Sequence, residues 1–352
     1  MLGLKKFLCV ILSAILMLTL FAGCSGGQEG KPVLKVLNWG DYIGEGVIED
    51  FEEEFGVEVI YDMFEQNEDM YTKLKTASGN ASYDVVIPSD YMIQRMISED
   101  MLEKIDVSAI PNFSLIDDKF KDLAFDPGNQ YSVPYMWGTV GIIYNTTMID
   151  EEVNSWSILW DQKYAKNMFM MNSVRDSMGI ALKYLGYSMN TDNMDEITEA
   201  QAALIAQKPL LLGYTGDEIK DKMIAGEAAL AVIYSGDAIT CIDQNDDLAY
   251  AVPEEGTNVW FDNMCVVKGS QNIELAQQFI NFMCRTDIAQ RNNEYINYST
   301  PQIEVYEGLS DDLKNDPLFY PSDDILDKCE VYEDLGDMVK VYDDMWTEVI
   351  IS

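Results

Sequence analysis

Histidine is absent from the 352-residue chain. That absence removes Ser-His-Asp and Cys-His catalysis and the common zinc sites together. In their place aromatic and acidic residues recur in company: Trp39, Asp41 and Tyr42; Ser89 and Tyr91; Ser173 and Asp176; Tyr234 and Asp237; Trp260, Asp262 and Tyr298. Rings beside carboxylates suit an alkylammonium group. A desolvated ammonium gains roughly 1.5 to 3 kcal/mol from a charge-assisted hydrogen bond and about 0.5 to 2 kcal/mol from an aromatic face. A linear polyamine joins several such groups, each with a pKa near that of lysine, about 10.4, through apolar methylenes. It needs acids at its ends and rings along its middle. Taken singly, none of these residues identifies a site. A Trp or Tyr at a strand end also serves core or lobe-interface packing, Asp176 and Asp237 are equally placed to cap helices, and Arg175 stands beside Asp176 as a salt-bridge partner.

The apolar pattern predicts the elements that would hold these residues. A strand over Val33 to Asn38 is followed by a loop with Gly40 and Gly44, then a helix with Val47, Ile48, Phe51 and Phe55 on one face, stopped by Gly56. A strand over Val57 to Tyr61, a helix from Glu68 to Ala77 and a strand over Tyr83 to Pro88 complete a β-α-β-α-β series, the mark of an open α/β sheet. A second series begins near Val140. Its strands at Gly141 to Tyr144, Asn167 to Met171, Leu210 to Tyr214 and Ala228 to Tyr234 alternate with helices near Asp176 to Gly186, Asp195 to Ala206 and Asp217 to Ala225. A strand over Val259 to Val267 and helices near Ile273 to Cys284 and Thr286 to Glu294 then return the chain to the first series, and two crossings predict a hinge. The expected fold class is α/β with two lobes: residues 33–137 and 258–320 form lobe one, 138–257 lobe two, and 321–352 a C-terminal segment packing across them. In open α/β sheets ligands lie beyond the carboxyl ends of the strands. The acids fall after strands of both lobes, and each except Asp176 has an aromatic within three residues.

Lys5 and Lys6 precede an uncharged apolar run from Phe7 to Phe21, followed by Ala22, Gly23 and Cys24. The run is shorter than the roughly 20 residues of a membrane-spanning helix, and small residues before a cysteine resemble the cleavage site of a bacterial lipoprotein. Residues 1–23 are therefore expected to be a signal peptide, Cys24 the lipid-modified first residue, and 24–32 a tether. Phe21 departs from the usual leucine, and an uncleaved membrane anchor is the other reading. Cleavage removes two cations and no acid, taking the formal charge from −38 to −40. Such a field repels nucleic acid and gathers cations, although solubility alone also accounts for it. Cys241, Cys265, Cys284 and Cys329 show no CxxC spacing and read as buried thiols, with a disulfide outside the cell left open.

The stretch Asn38-Trp39-Gly40-Asp41-Tyr42, then Tyr83-Asp84-Val85-Val86-Ile87-Pro88-Ser89, then Phe125-Asp126-Pro127 with Tyr131-Ser132-Val133-Pro134-Tyr135-Met136-Trp137-Gly138, resembles the spermidine/putrescine-binding proteins of polyamine ABC importers. Trp260-Phe261-Asp262 and Tyr298-Ser299-Thr300-Pro301 continue the likeness across the mature chain. The resemblance implies a periplasmic-binding-protein fold, two α/β lobes joined by a hinge with the ligand cleft between them, without catalysis, cofactor or metal. It implies that Trp39, Asp41, Tyr42, Ser89 and Tyr91 line the first-lobe wall. Trp260 would stack on methylenes, Asp262 take an amine and Tyr298 close the pocket. In the second lobe Asp176 resembles the family's acidic end-recogniser, Tyr234 stands where a tryptophan is usual, and Asp237 matches an aspartate of putrescine-preferring members. Ser173 replaces an aspartate of spermidine-preferring members and Tyr332 a glutamine, which leaves the preferred chain length open. The implied partners are a polyamine, an ABC permease with its ATPase, and the membrane through lipid on Cys24; the receptor would act as a monomer and bind no nucleic acid.

Other readings use the same residues. A ferric-ion or other metal receptor would take tyrosines and carboxylates as oxygen ligands, yet it has little use for Trp39 and Trp260. A sugar receptor would use the rings but not so many acids. Paired carboxylates would also serve a glycosidase, the common hydrolytic mechanism that survives without histidine, although no sugar-cleaving motif accompanies them. An adhesive surface lipoprotein leaves the ring-and-acid loops of both lobes without a purpose.

Overall fold

The computed structural model describes residues 30–76 and 82–352. The expected signal peptide, Cys24 and the tether up to residue 29 lie outside the described residues. Among the described residues nine strands form one continuous sheet: β1 Val33–Trp39, β2 Glu58–Phe64, β3 Val85–Val86, β4 Ser132–Asn145, β5 Met168–Met171, β6 Gly213–Thr215, β7 Leu230–Tyr234, β8 Leu248–Ala251 and β9 Val259–Val266. Their order is β2-β1-β3-β9-β4-β7-β5-β6, with β8 added to β4. β1 lies parallel to β2 and β3 at one end, and β5 parallel to β6 and β7 at the other. Between them β4 runs antiparallel to β7, β8 and β9.

β4 joins the two lobes. Its first part, Ser132 to Thr139, pairs with β9, and its second, Val140 to Asn145, pairs with β7 and β8. The change of partner occurs where Thr139 faces Val259, so both expected crossings pass side by side at one level. A third segment joins them there: the Val259 amide donates to the Glu330 carbonyl at 3.0 Å, and the Glu330 amide to the Thr257 carbonyl at 2.8 Å. The chain then places the helix Val339–Ile351 against the helices Val174–Leu185 and Met194–Gln207.

Alternation along the strands fills both faces of the sheet. Leu34 and Val36 point into the cluster where Phe51 meets Phe279 and Phe282 at ring separations of 5.1 and 5.3 Å. Leu37 points to the opposite face, with Met92, Ile93, Met96 and Cys265. Each of these buried apolar side chains contributes roughly 1.5 to 3 kcal/mol. The Phe51 contacts return the helix Ile273–Met283 to the first lobe.

Several expectations needed correction. The strand over Tyr83 to Pro88 shrinks to two residues, Val85–Val86, with the Asp84 and Ile87 amides still donating to the Lys35 and Leu37 carbonyls of β1, while the Asp84 carboxylate accepts from the Lys35 amide at 2.9 Å and from Ser270 Oγ at 2.6 Å. The strand over Leu210 to Tyr214 moves to Gly213–Thr215, because Pro209 opens a tight 3₁₀ turn over Lys208–Leu210. Helices Asp90–Ser98, Ser235–Gln244 and Val339–Ile351 and the strand β8 were not expected. The four cysteines among the described residues carry free thiols, but Cys329 is only partly buried. Gly56 ends its helix as predicted, at φ 67°. Among the described residues no helix is long and apolar enough to cross a membrane.

Candidate functional site

A cavity of about 690 Å³ opens between the parallel strand groups. All twelve residues singled out from the sequence line it: Trp39, Asp41, Tyr42, Ser89, Tyr91, Asp176, Tyr234, Asp237, Trp260, Asp262, Tyr298 and Tyr332. Each acid but Asp262 follows the end of a strand, as the open-sheet rule requires. Ten carboxylates and only two cations, Arg175 and Lys220, are found among the described lining residues, so the cavity is strongly electronegative.

Asp262, on β9, is buried, 5 % exposed. Its Oδ2 accepts from the Tyr42 hydroxyl at 2.8 Å and its Oδ1 from Ser89 Oγ at 2.6 Å. Neither donor carries charge, and burial pushes the Asp262 pKa up to about 7. The Tyr42 loop is fixed by scaffold residues: Asn38 Nδ2 and the Tyr135 hydroxyl both donate to the Tyr42 carbonyl, at 3.1 and 2.8 Å. Asp126 braces the start of β4 by accepting from the amides of Gln130, Tyr131 and Ser132. These motif residues position the site without facing it.

Asp176 and Asp237 are held alike, each in the first turn of a helix that follows a strand, where the helix dipole favours negative charge. Neither is an N-cap. Ser173 caps the helix Val174–Leu185 and also donates to Asp176 Oδ2 at 2.7 Å, and Tyr234 occupies the cap position of the helix Ser235–Gln244. The Tyr234 hydroxyl donates to Asp176 Oδ2 at 2.9 Å, and the Tyr332 hydroxyl donates mainly to the Arg175 carbonyl, at 3.0 Å, with a longer approach of 3.4 Å to Asp176 Oδ1. Burial raises the Asp176 pKa against the pull of these donors. Arg175 is not its salt-bridge partner. The guanidinium instead lies 4.4 Å from the Tyr332 ring and 5.4 Å from the Tyr91 ring, with Nη2 donating to Asn190 Oδ1 at 2.9 Å.

Between Asp262 and Asp176 the wall is a run of rings meeting edge to face. Tyr42 meets Tyr298 at 5.7 Å, Tyr298 meets Trp260 at 4.9 Å, and Trp260 meets Tyr234 at 6.0 Å. Glycines permit this packing: a Cβ on Gly138 would fall 2.6 Å from the Trp260 ring, and one on Gly236 2.3 Å from the Tyr298 ring. Trp39 packs on Phe64 at 4.4 Å. The Tyr91 hydroxyl is already committed, donating to Glu68 Oε1 at 2.9 Å and accepting from Asn67 Nδ2 at 3.1 Å.

At the mouth, Asp41 sits in a left-handed turn, φ 48°, with its side chain 75 % exposed. Asp237 is raised in pKa by burial, opposed by the Lys220 ammonium. Asp90 and Lys220 are among the lining residues that went unremarked in the sequence. Asp90 is fully buried, accepting from the amides of Tyr91 and Phe261 at 2.7 and 2.9 Å, and burial pushes its pKa up to about 8. Its signal was its place directly after Ser89. Lys220 had none beyond lying on an expected helix. Among the described residues no group of three or more acidic or cysteine side chains is gathered closely enough to hold a metal ion.

Residues 46–321 match the model of a family described as bacterial extracellular solute-binding protein. The chain is similar to the spermidine/putrescine-binding periplasmic protein of Salmonella typhimurium, 35 % identical over 89 % of this chain and 90 % of that protein. It superposes on the spermidine/putrescine ABC transporter substrate-binding protein of Streptococcus pneumoniae with a TM-score of 0.78 at 38 % identity, covering 91 % of this chain and 99 % of the other. A lipoprotein of Treponema pallidum gives 0.80 at 29 % identity, over 90 % and 99 % of the two chains.

Proposed function

Because the chain belongs to the bacterial extracellular solute-binding protein family, we propose that it is the substrate-binding component of an ABC importer and that its ligand is a polyamine, putrescine or spermidine. The family's members carry solutes to transporters and are not enzymes, so the buried acids here serve binding. The observation that carries the polyamine reading is Asp262, a buried carboxylate held by two neutral hydroxyls and without a cationic partner among the described residues. A buried charge without a counter-charge costs several kcal/mol, and a ligand ammonium removes that cost. The run of rings from Tyr42 to Tyr234 gives the methylenes an apolar wall and each ammonium a π-face. Asp176, held by the Ser173 and Tyr234 hydroxyls, is placed to take a second amine. The names of the Salmonella and Streptococcus proteins support the same ligand class.

In this reading residues 33–137 and 258–320 move against 138–257 about the β4–β9 crossing, the C-terminal segment bridging them. The Gln66 side-chain amide, which donates to the Asn172 carbonyl at 3.1 Å, then serves as a closing contact across the cleft. The permease and ATPase recognise the closed form, and lipid on Cys24 holds the receptor at the membrane after cleavage of residues 1–23. The test is calorimetric titration of the chain from Ser25 onward, stripped of endogenous ligand, with putrescine, spermidine and spermine, repeated in EDTA. Saturable one-to-one binding that survives EDTA is expected. A folded protein that takes none of the three overturns the reading.

A further inference from the structure

Lys220 has no part in the reading above, yet it stands in the cleft. The helix Ile219–Ile224 brings its Nζ to 3.4 Å from Asp237 Oδ1 and 3.8 Å from Asp41 Oδ2. Asp41 follows β1 and Asp237 follows β7, so one ammonium joins acids from both sides of the cleft. Asp217 belongs to the same cluster, because a Cβ on Gly40 would lie 3.5 Å from its Oδ2. The Lys220 side chain is 21 % exposed and that of Asp237 18 %, so this pair is mostly withdrawn from water. Burial works against the Lys220 charge, but Asp237, Asp217 and Asp41 together outweigh it and raise the pKa. A primary ammonium on a four-carbon stem is chemically one end of a polyamine. Asp262 and Asp176 differ, since the groups donating to their carboxylates are hydroxyls, those of Tyr42 and Ser89 for Asp262 and those of Ser173 and Tyr234 for Asp176.

Resting on the polyamine reading, we propose that Lys220 is a built-in stand-in for one ligand ammonium, occupying the Asp41–Asp237 end of the cleft and thereby selecting a diamine over a triamine. A diamine anchors on Asp262 and Asp176 and leaves Lys220 in place. A triamine must either leave its third ammonium without a carboxylate or displace Lys220 from two acids. With Lys220 gone, Asp41, Asp217 and Asp237 become a third anionic subsite.

The experiment is calorimetric titration of putrescine and spermidine into the unaltered protein and the variants Lys220→Met, Lys220→Gln and Lys222→Met. Lys222 lies on the same short helix, pairs with Glu227 beyond its end and does not line the cavity, so its loss removes the same charge without opening a subsite. Lys220→Met is expected to raise spermidine affinity relative to putrescine by about tenfold, Lys220→Gln to follow it, and Lys222→Met to leave the ratio unchanged. If the Met variant fails to fold, the Gln variant carries the test. An unmoved ratio, or an equal gain for both ligands, overturns the role of Lys220 while the transport reading stands. Failure of the unaltered protein to bind either ligand overturns the transport reading, and the role of Lys220 with it.

Discussion

The inner wall and the mouth of the cleft hold their acids in opposite ways. Asp262 is buried with two hydroxyl donors and no cation, so its charge is expensive and burial raises its pKa to about 7. Asp237 and Asp41 share an ammonium supplied by the protein, and Asp41 also stands largely in water. An acid with a counter-charge supplied by the protein is less destabilised in the empty receptor and has less to gain from a ligand. An acid without one destabilises the empty receptor and gives that energy back on binding. The difference teaches that the number of acids in the cleft overstates the number available to ligand.

Removing the inner charge tests this most severely. Asp262→Asn is expected to weaken polyamine binding between about tenfold and a hundredfold and, at pH 8, to raise the melting temperature of the empty protein. Unchanged affinity would remove Asp262 from the site, and a lowered melting temperature would show that its charge is compensated after all.

The next largest effect is on pH. The ligand stays cationic throughout, so binding must ionise Asp262, and affinity should fall by close to tenfold per unit below about pH 7. The empty protein should show the opposite sign. Asp262 in the fold binds its proton more tightly than its ordinary value of 3.8 would give, so the stability it contributes is complete below that value and is lost as pH rises through about 7. Asp90, raised to about 8, adds in the same direction. Differential scanning calorimetry of the ligand-free protein from pH 5 to 8 should therefore record a falling melting temperature; a flat profile would contradict the contrast between wall and mouth.

The smallest effect separates charge from geometry. Tyr42→Phe keeps the ring against Tyr298 but removes the hydroxyl that donates to Asp262. Affinity at pH 7 should fall about fivefold and the pH midpoint of binding should move upward, because one group holding the carboxylate ionised is gone. Loss of affinity with an unmoved midpoint would assign the hydroxyl to the ligand instead.

Much of this site was legible in the sequence. Strand periods placed Trp39, Ser89, Asp176 and Tyr234 at strand ends, and open-sheet geometry brings strand ends to one cleft, so residues read one loop at a time converge on a single cavity. Asp84 and Asp126, quoted within the same motifs, proved to be scaffold, a distinction that depends on which backbone amides fold back upon them. Asp90 escaped notice because the helix it opens was not expected and a loop carboxylate looks the same in sequence whether it faces water or the interior.

By itself the sequence determined the inventory: no histidine, an excess of acid, rings paired with carboxylates, and two α/β series connected by returning strands. Only the tertiary structure decided which of those acids are free. Whether a carboxylate has a counter-charge depends on separations of a few ångströms across the cleft and on the water excluded there, and those are set by how β4 and β9 bring distant loops together. No local period records that Lys220 would meet Asp41 and that no cation among the described residues would meet Asp262.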